Sequence, residues 1–74
     1  MPQDILVQFG KKVREERQKL HFSQEQLAEK AGLHRTYIGM IERAEKNITL
    51  ENIHKICKAL DFNLGTLFKD FDDC

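Results

Sequence analysis

The stretch that decides the fold is SQEQLAEKAGLHRTYIGMIE, residues 23–42. Its spacing predicts two short helices joined by a tight turn. Ser23 can cap the first helix, and Gln26, three residues later, completes a capping box. Gly32 supplies the positive φ that a sharp helix exit requires. The apolar residues between the cap and the turn share one helical face: Leu27, Ala28 and Ala31.

The second helix of this stretch is predicted to start near His34, which we expect to act as its cap. Leu33, Ile38 and Ile41 can point inward. The positions available to face outward are Arg35, Thr36, Gly39 and Met40. A short helix, a glycine-containing turn and a helix with a polar front form the helix-turn-helix plan for reading the DNA major groove. We place this motif at about residues 23–43.

The rest of the chain predicts three more helices and no strand, because no segment alternates with period two for long. The five helices are expected at roughly 4–20, 24–31, 35–43, 50–60 and 64–69. Polar residues that can cap three of them are Asp4, Thr49 and Asn63. The inward positions on helices one and four are Leu6, Phe9, Val13, Leu20, Ile53, Ile56, Cys57 and Leu60. The predicted fold is a compact, all-α five-helix bundle.

Length and composition limit the possible classes of protein. The chain has 74 residues, which predicts one domain over residues 1–74 and a modest core. Residues 11–46 carry nine Lys and Arg against six Glu, although the whole chain has a net charge of zero. No signal peptide or membrane span is visible. The two cysteines make no disulfide framework, and Cys57 on an apolar face predicts a reduced core thiol, so we expect a cytoplasmic protein.

The chain resembles the Cro/repressor-type, XRE-like helix-turn-helix family from about Phe9 to Phe68. The matching pieces are Arg14-x-x-Arg17, Ser23-Gln24-Glu25-Gln26-Leu27-Ala28, Gly32-Leu33 and Ile41-Glu42-Arg43. The resemblance implies a lambda-repressor-like DNA-binding domain. We expect no cofactor.

Within that family the chain looks most like the controller proteins of restriction–modification systems. The pieces that match this subgroup are His34-Arg35-Thr36-Tyr37-Ile38, Ile41-Glu42-Arg43 and Asn47. The resemblance implies a homodimer that binds a palindromic operator in double-stranded DNA and activates or represses its own gene and the endonuclease gene. Three positions depart from the usual pattern: Glu16 replaces an apolar residue, Ala44 replaces Gly, and Lys46 replaces the Arg that is frequent in the subgroup.

Four residues on helix three are predicted to contact bases: Arg35, Thr36, Tyr37 and Met40. Arg35 and Thr36 lie at the front of the helix, where base edges come within reach. Arginine can pair bidentately with guanine, and the threonine methyl group can meet a thymine methyl group. Tyr37 has a second interpretation, in which it closes the core between helices two and three. Met40 can equally be packed against its neighbours.

Six residues are predicted to contact phosphates: Ser23, Gln24, Arg43, Lys46, Asn47 and Thr49. They surround the starts of helices two and four, where unpaired N–H groups and the positive end of the helix dipole attract anions. Such contacts position a protein on DNA without reading its sequence. For Gln24 the expectation comes from the family, in which the matching glutamine contacts phosphate.

Arg17 is predicted to have a structural role. It falls on the apolar face of helix one, where a lone charge is unfavourable without a partner. In related domains the matching arginine and glutamate form an ion pair between helices one and three, which implies an Arg17–Glu42 pair here.

The fifth helix is more apolar than a monomer needs. Its stripe follows the spacing i, i+3, i+4, i+7 and consists of Leu64, Leu67, Phe68 and Phe71. Because so small a domain cannot hide all four side chains, we predict that a dimer interface lies within about residues 60–71.

Other functions have weaker signals. His54 and Cys57 have a spacing that can chelate, but structural zinc needs four ligands, so we expect no metal. No nucleophile–base pair or phosphate loop indicates an enzyme, and no small-molecule substrate or membrane partner is expected. Two alternatives stay open: a phage-type or other small repressor, and a protein-interaction module of the antitoxin or coactivator kind.

Overall fold

The structure, a computed structural model, describes residues 5–63 and Gly65. Within that part the elements are four helices and no strand: α1 (Ile5–Lys19), α2 (Gln24–Ala31), α3 (Arg35–Glu42) and α4 (Leu50–Ala59). The predicted helices one to four are therefore confirmed, and each of their ends lies within one residue of the predicted position. The fifth helix predicted over 64–69 falls, apart from Gly65, outside the described residues. None of the described helices is long and apolar enough to cross a membrane.

Local hydrogen bonds start the helices where the sequence predicts. Ser23 Oγ accepts from the backbone N–H of Gln26 at 3.0 Å, and the Gln26 side chain accepts from the Ser23 N–H at 2.8 Å, which completes the capping box. His34 Nδ1 accepts from the Thr36 N–H at 3.1 Å and so caps α3. Thr49 Oγ1 caps α4 through the Asn52 N–H at 3.1 Å.

All four helices end in the same way, with a residue in the left-handed region. These residues are His21 (φ 60), Gly32 (φ 72), Ala44 (φ 59) and Asp61 (φ 54). After α3, for example, the Glu45 N–H reaches the Met40 carbonyl at 2.8 Å and the Ala44 N–H reaches the Ile41 carbonyl at 3.0 Å. This pair of bonds is a Schellman motif. Ala44 therefore keeps the left-handed exit for which the family usually has glycine, at a steric cost that glycine avoids.

The core lies where the four helices meet. Its buried members are Phe9, Val13, Leu27, Ala28, Ala31, Ile38, Ile41, Ile56, Cys57 and Leu60. Leu33 and Ile53 are partly buried against this cluster. The prediction that Leu20 points inward is wrong, since it is 41% exposed. It lies just beyond α1, where the chain turns and the helical periodicity that made the prediction no longer applies.

α1 and α3 approach each other very closely at Gly10. A Cβ atom at this position would overlap the carbonyl oxygen of Ile41 and lie 2.9 Å from that of Glu42. The missing side chain therefore allows α1 to contact the backbone at the end of α3. This approach holds the C-terminal end of α3 in place while its N-terminal end stays exposed.

Candidate nucleic-acid interface

The outward face of α3 rests on a fully buried inner face. Ile38 on α3 and Leu27 on α2 are both 0% exposed and belong to one cluster. Arg35 and Thr36, at the start of α3, are exposed, and Met40 is half-buried. The first turn of α3 is therefore exposed to solvent, while the side of the helix behind it is buried in the core.

Gly39 does not face outward as predicted, because it is buried. A Cβ there would lie 3.1 Å from Arg43 Nη1 and 3.4 Å from Gln24 Oε1. The side chains of Gln24 and Arg43 cover the position that the glycine leaves open. Two residues that the sequence predicts as phosphate contacts therefore converge on the middle of α3.

Arg35 has an acidic neighbour on α2. Its Nη1 atom lies 3.7 Å from Glu25 Oε1, and the two side chains are 66% and 73% exposed. The groove between α2 and the start of α3 is lined by both residues together with Ala28, Glu29, Leu33 and His34. Sequence reasoning missed this contact, since it named Glu25 only as part of the stretch that matches the family.

Tyr37 combines a core position with a polar contact. It is half-buried and packs against the core cluster, while its hydroxyl oxygen accepts from Asn52 Nδ2 at 2.9 Å. The hydrogen bond fixes the ring between α3 and α4. Asn52 was not predicted as a site residue, because nothing in its local sequence indicates a partner on α3.

Glu42 is the centre of a hydrogen-bonded network behind α3. Arg17 donates to its carboxylate through Nε at 2.7 Å and Nη2 at 3.1 Å, and Gln24 Nε2 donates at 3.1 Å. Arg17 Nη1 also donates to the Phe22 carbonyl at 2.8 Å. The Glu42 and Arg17 side chains are only 4% and 12% exposed. The structure thus brings Arg17 and Glu42 together and adds Gln24, which ties the start of α2 to the end of α3.

The other predicted phosphate contacts lie on the surface. Arg43 Nε pairs with Glu45 Oε2 at 3.1 Å, and both side chains are more than half exposed. Exposed positions near the starts of α2 and α4 are occupied by Ser23, Lys46, Asn47 and Thr49. The hydroxyl oxygens of Ser23 and Thr49 accept from the N–H groups of their helices, so each hydroxyl would meet a phosphate as a donor, through its O–H group. The predicted interface residues Leu64, Leu67, Phe68 and Phe71 lie outside the described residues.

Cys57 and His54, whose spacing can chelate a metal ion, are not part of a metal-binding cluster in the described part of the chain. Cys57 is a free thiol, 4% exposed, and burial raises its pKa. The thiol form is therefore favoured, as expected of the predicted core cysteine. His54, its predicted neighbour on α4, is exposed. Among residues 5–63 and 65, no three His, Cys, Asp or Glu side chains come together in a way that could hold a metal ion.

Two short helices crossing at a glycine turn, with the second presenting a polar first turn, define a helix-turn-helix protein. Comparison with known sequences agrees, because the family model described as helix-turn-helix matches residues 13–67. The chain is 52% identical over 61 residues to the control protein C.BamHI of Bacillus amyloliquefaciens. The aligned region covers 81% of this chain and 75% of that protein.

Solved structures narrow the family further. The restriction–modification controller protein C.AhdI from Aeromonas hydrophila has a TM-score of 0.83 and 45% identity, over 86% of this chain and 97% of that one. C.Esp1396I bound to a 25 base pair operator site has a TM-score of 0.83 and 30% identity, over 93% and 91% of the two chains. The chain belongs to the helix-turn-helix family and, within it, to the restriction–modification control proteins.

Proposed function

We propose that this protein is a sequence-specific transcriptional regulator of a restriction–modification system that acts in the cytoplasm as a single-domain homodimer. The observation that carries the proposal is the exposed first turn of α3 on a fully buried base. Operator binding by the related C.Esp1396I, whose operator complex has the same fold, supports the assignment of DNA as the partner.

In this proposal the first turn of α3 enters the major groove. Arg35 and Thr36 contact base edges, because they are exposed where a recognition helix meets them. Met40, one turn later and half-buried, makes an apolar contact. Tyr37 has its hydroxyl oxygen bonded to Asn52, so it offers DNA the exposed part of its ring.

Phosphate contacts flank the recognition helix on two sides. The start of α2 contributes Ser23 and Gln24, and the region between α3 and α4 contributes Arg43, Lys46, Asn47 and Thr49. Gln24 is well suited to this role, because Glu42 takes only one of its two amide N–H groups in the observed bond. The Gln24–Glu42 bond also explains how such a contact would be held in register with α3.

Pairing of two chains completes the operator complex. A two-fold dimer presents two recognition helices to half-sites about one helical turn apart, which requires a palindromic operator. We propose that a fifth helix over 64–69 supplies the interface through Leu64, Leu67, Phe68 and Phe71. The apolar spacing of these residues supports this assignment, and so does the limited core of a 74-residue chain.

Selection of duplexes from a random-sequence pool tests the DNA-binding role. We expect the selected duplexes to converge on a palindrome, with an affinity that falls steeply as salt is raised. The affinity for a scrambled duplex should be about 10³-fold weaker or more at the same salt. Failure to enrich any sequence, together with no retention on DNA at low salt, would favour the alternative of a protein-interaction module.

Replacing Leu67 with Glu and Phe68 with Lys tests the dimer. The variant should sediment as a monomer. Its affinity for the selected operator should fall close to its affinity for non-specific DNA, because binding to the second half-site is no longer intramolecular. A variant that stays dimeric would place the interface elsewhere. A monomer with full operator affinity would rule out binding through paired half-sites.

A further inference from the structure

The ion pair between Glu25 and Arg35 changes the chemistry that the recognition helix presents. At 3.7 Å the contact is electrostatic and too long for a hydrogen bond. It therefore occupies none of the five guanidinium N–H donors. The donors of Arg35 remain available while its positive charge has an adjacent negative partner.

A guanidinium with a carboxylate beside it discriminates between two kinds of acceptor on DNA. A phosphate is anionic, so Glu25 opposes the attraction that Arg35 alone would exert on it. The O6 and N7 atoms of guanine are neutral acceptors and need only aligned donors. The pair is therefore better suited to a base edge than to the DNA backbone.

We infer that Glu25 is a specificity-determining residue. It suppresses the binding of Arg35 to phosphate and so favours the contact of Arg35 with bases. The inference rests on the proposed function, since it requires that α3 faces DNA. Glu25 itself makes no contact with a base in this role. Its effect is to raise the ratio of operator affinity to non-specific affinity.

Several features of the surface fit this role. Both side chains are mostly exposed, so DNA can reach the pair without any rearrangement of the core. Glu25 belongs to the first turn of α2, and this helix packs directly on α3, so the carboxylate is held beside the recognition helix. Its charge also helps to keep the net charge of the chain at zero despite nine basic residues between positions 11 and 46. Such a chain depends more on base contacts than a strongly basic one does.

The test measures the affinity of the 74-residue chain for two duplexes at several salt concentrations. One duplex is the operator selected from the random pool, and the other is a scrambled duplex of the same length and composition. The variant is Glu25→Gln, which removes the charge and keeps the size of the side chain. Glu29→Gln is the matched control, because Glu29 is an exposed carboxylate on the same helix and in the same groove.

Glu25→Gln should bind the scrambled duplex about two- to fivefold more tightly, the range expected for an exposed ion pair. The slope of log affinity against log salt for that duplex should become steeper by about one, since Arg35 then contacts a phosphate. Operator affinity should change little, because on the operator Arg35 contacts the neutral O6 and N7 atoms of guanine, for which the Glu25 charge matters less than it does for a phosphate. The specificity ratio should therefore fall by about two- to fivefold, whereas Glu29→Gln should leave it unchanged.

Three results would overturn the inference while leaving the proposed function intact. The first is an equal rise in both affinities for Glu25→Gln, which would mean that only net charge matters. The second is an equal loss of specificity in Glu29→Gln. The third is an unchanged effect of Glu25→Gln when Arg35 is already alanine, which would show that the two residues are not coupled. If the wild-type protein shows no preference for the operator over scrambled DNA, the proposed function itself fails.

Discussion

For the replacement of Gly10 with alanine, helix propensity and the packing of α1 on α3 predict opposite changes in stability. By helix propensity alone the change adds about 1 kcal/mol of stability, because Gly10 lies inside α1. The added Cβ, however, would overlap the Ile41 carbonyl oxygen and come within 2.9 Å of the Glu42 carbonyl oxygen. Both obstacles are backbone atoms, so no side-chain rotation can relieve the overlap.

The two helices must then move apart by a distance on the order of 1 Å to restore van der Waals contact. Overpacking of this kind costs about 1–3 kcal/mol and occasionally more. Because the obstacles are rigid, we take the upper part of that range and expect a net loss of about 2 kcal/mol after the gain in propensity. For a domain of this size the loss lowers the melting temperature by about 8–16 °C.

Chemical denaturation of Gly10→Ala measures this loss, with Gly39→Ala as the control. Gly39 also lies inside a helix, but its nearest obstacle is the end of the flexible Arg43 side chain, at 3.1 Å. The control should therefore be unchanged or up to about 1 kcal/mol more stable than wild type. A Gly10→Ala variant at least as stable as the wild-type protein would refute the close approach of α1 to α3.

Three further changes test other parts of the structure. Arg17→Met should lower the free energy of unfolding by about 3–5 kcal/mol, because it leaves the 4% exposed Glu42 carboxylate without its ion pair; an unchanged melting temperature would show that the pair is not important for stability. Ala44→Gly should raise stability by about 1 kcal/mol in a thermal melt, since φ is 59° there, and a loss of stability would argue against the left-handed exit. Arg35→Ala should weaken operator binding by about 1–3 kcal/mol with an unchanged fold, and an equal affinity of variant and wild type at matched salt would exclude a specific base contact.

Local signals predicted most of the fold because each one acts over a few residues. The capping box at Ser23 and Gln26, the Gly32 turn and the Thr49 cap depend only on neighbours within one helical turn. The buried faces of α2 and α3 follow from the 3.6-residue period. The same reasoning fails for Leu20, which lies just beyond the end of its helix.

The sequence alone determined which residues cap the starts of α2, α3 and α4, where the chain turns between the described helices and which faces of α2 and α3 are buried. It also indicated that Arg17 needs an acidic partner, since a charge on an apolar face is unfavourable when unpaired. These properties are encoded in spacing and residue type, so they can be read without knowing how the helices pack.

Apart from the Arg17–Glu42 pair, which the family resemblance implied, only the tertiary structure decided which residues meet across helices. Gly10 against the end of α3, Asn52 on Tyr37 and Glu25 beside Arg35 each join residues on different helices. Periodicity gives the direction in which a side chain points, but it does not give the residue that lies opposite. That pairing depends on the angles and distances at which the helices cross, which are set by the shape of the whole core.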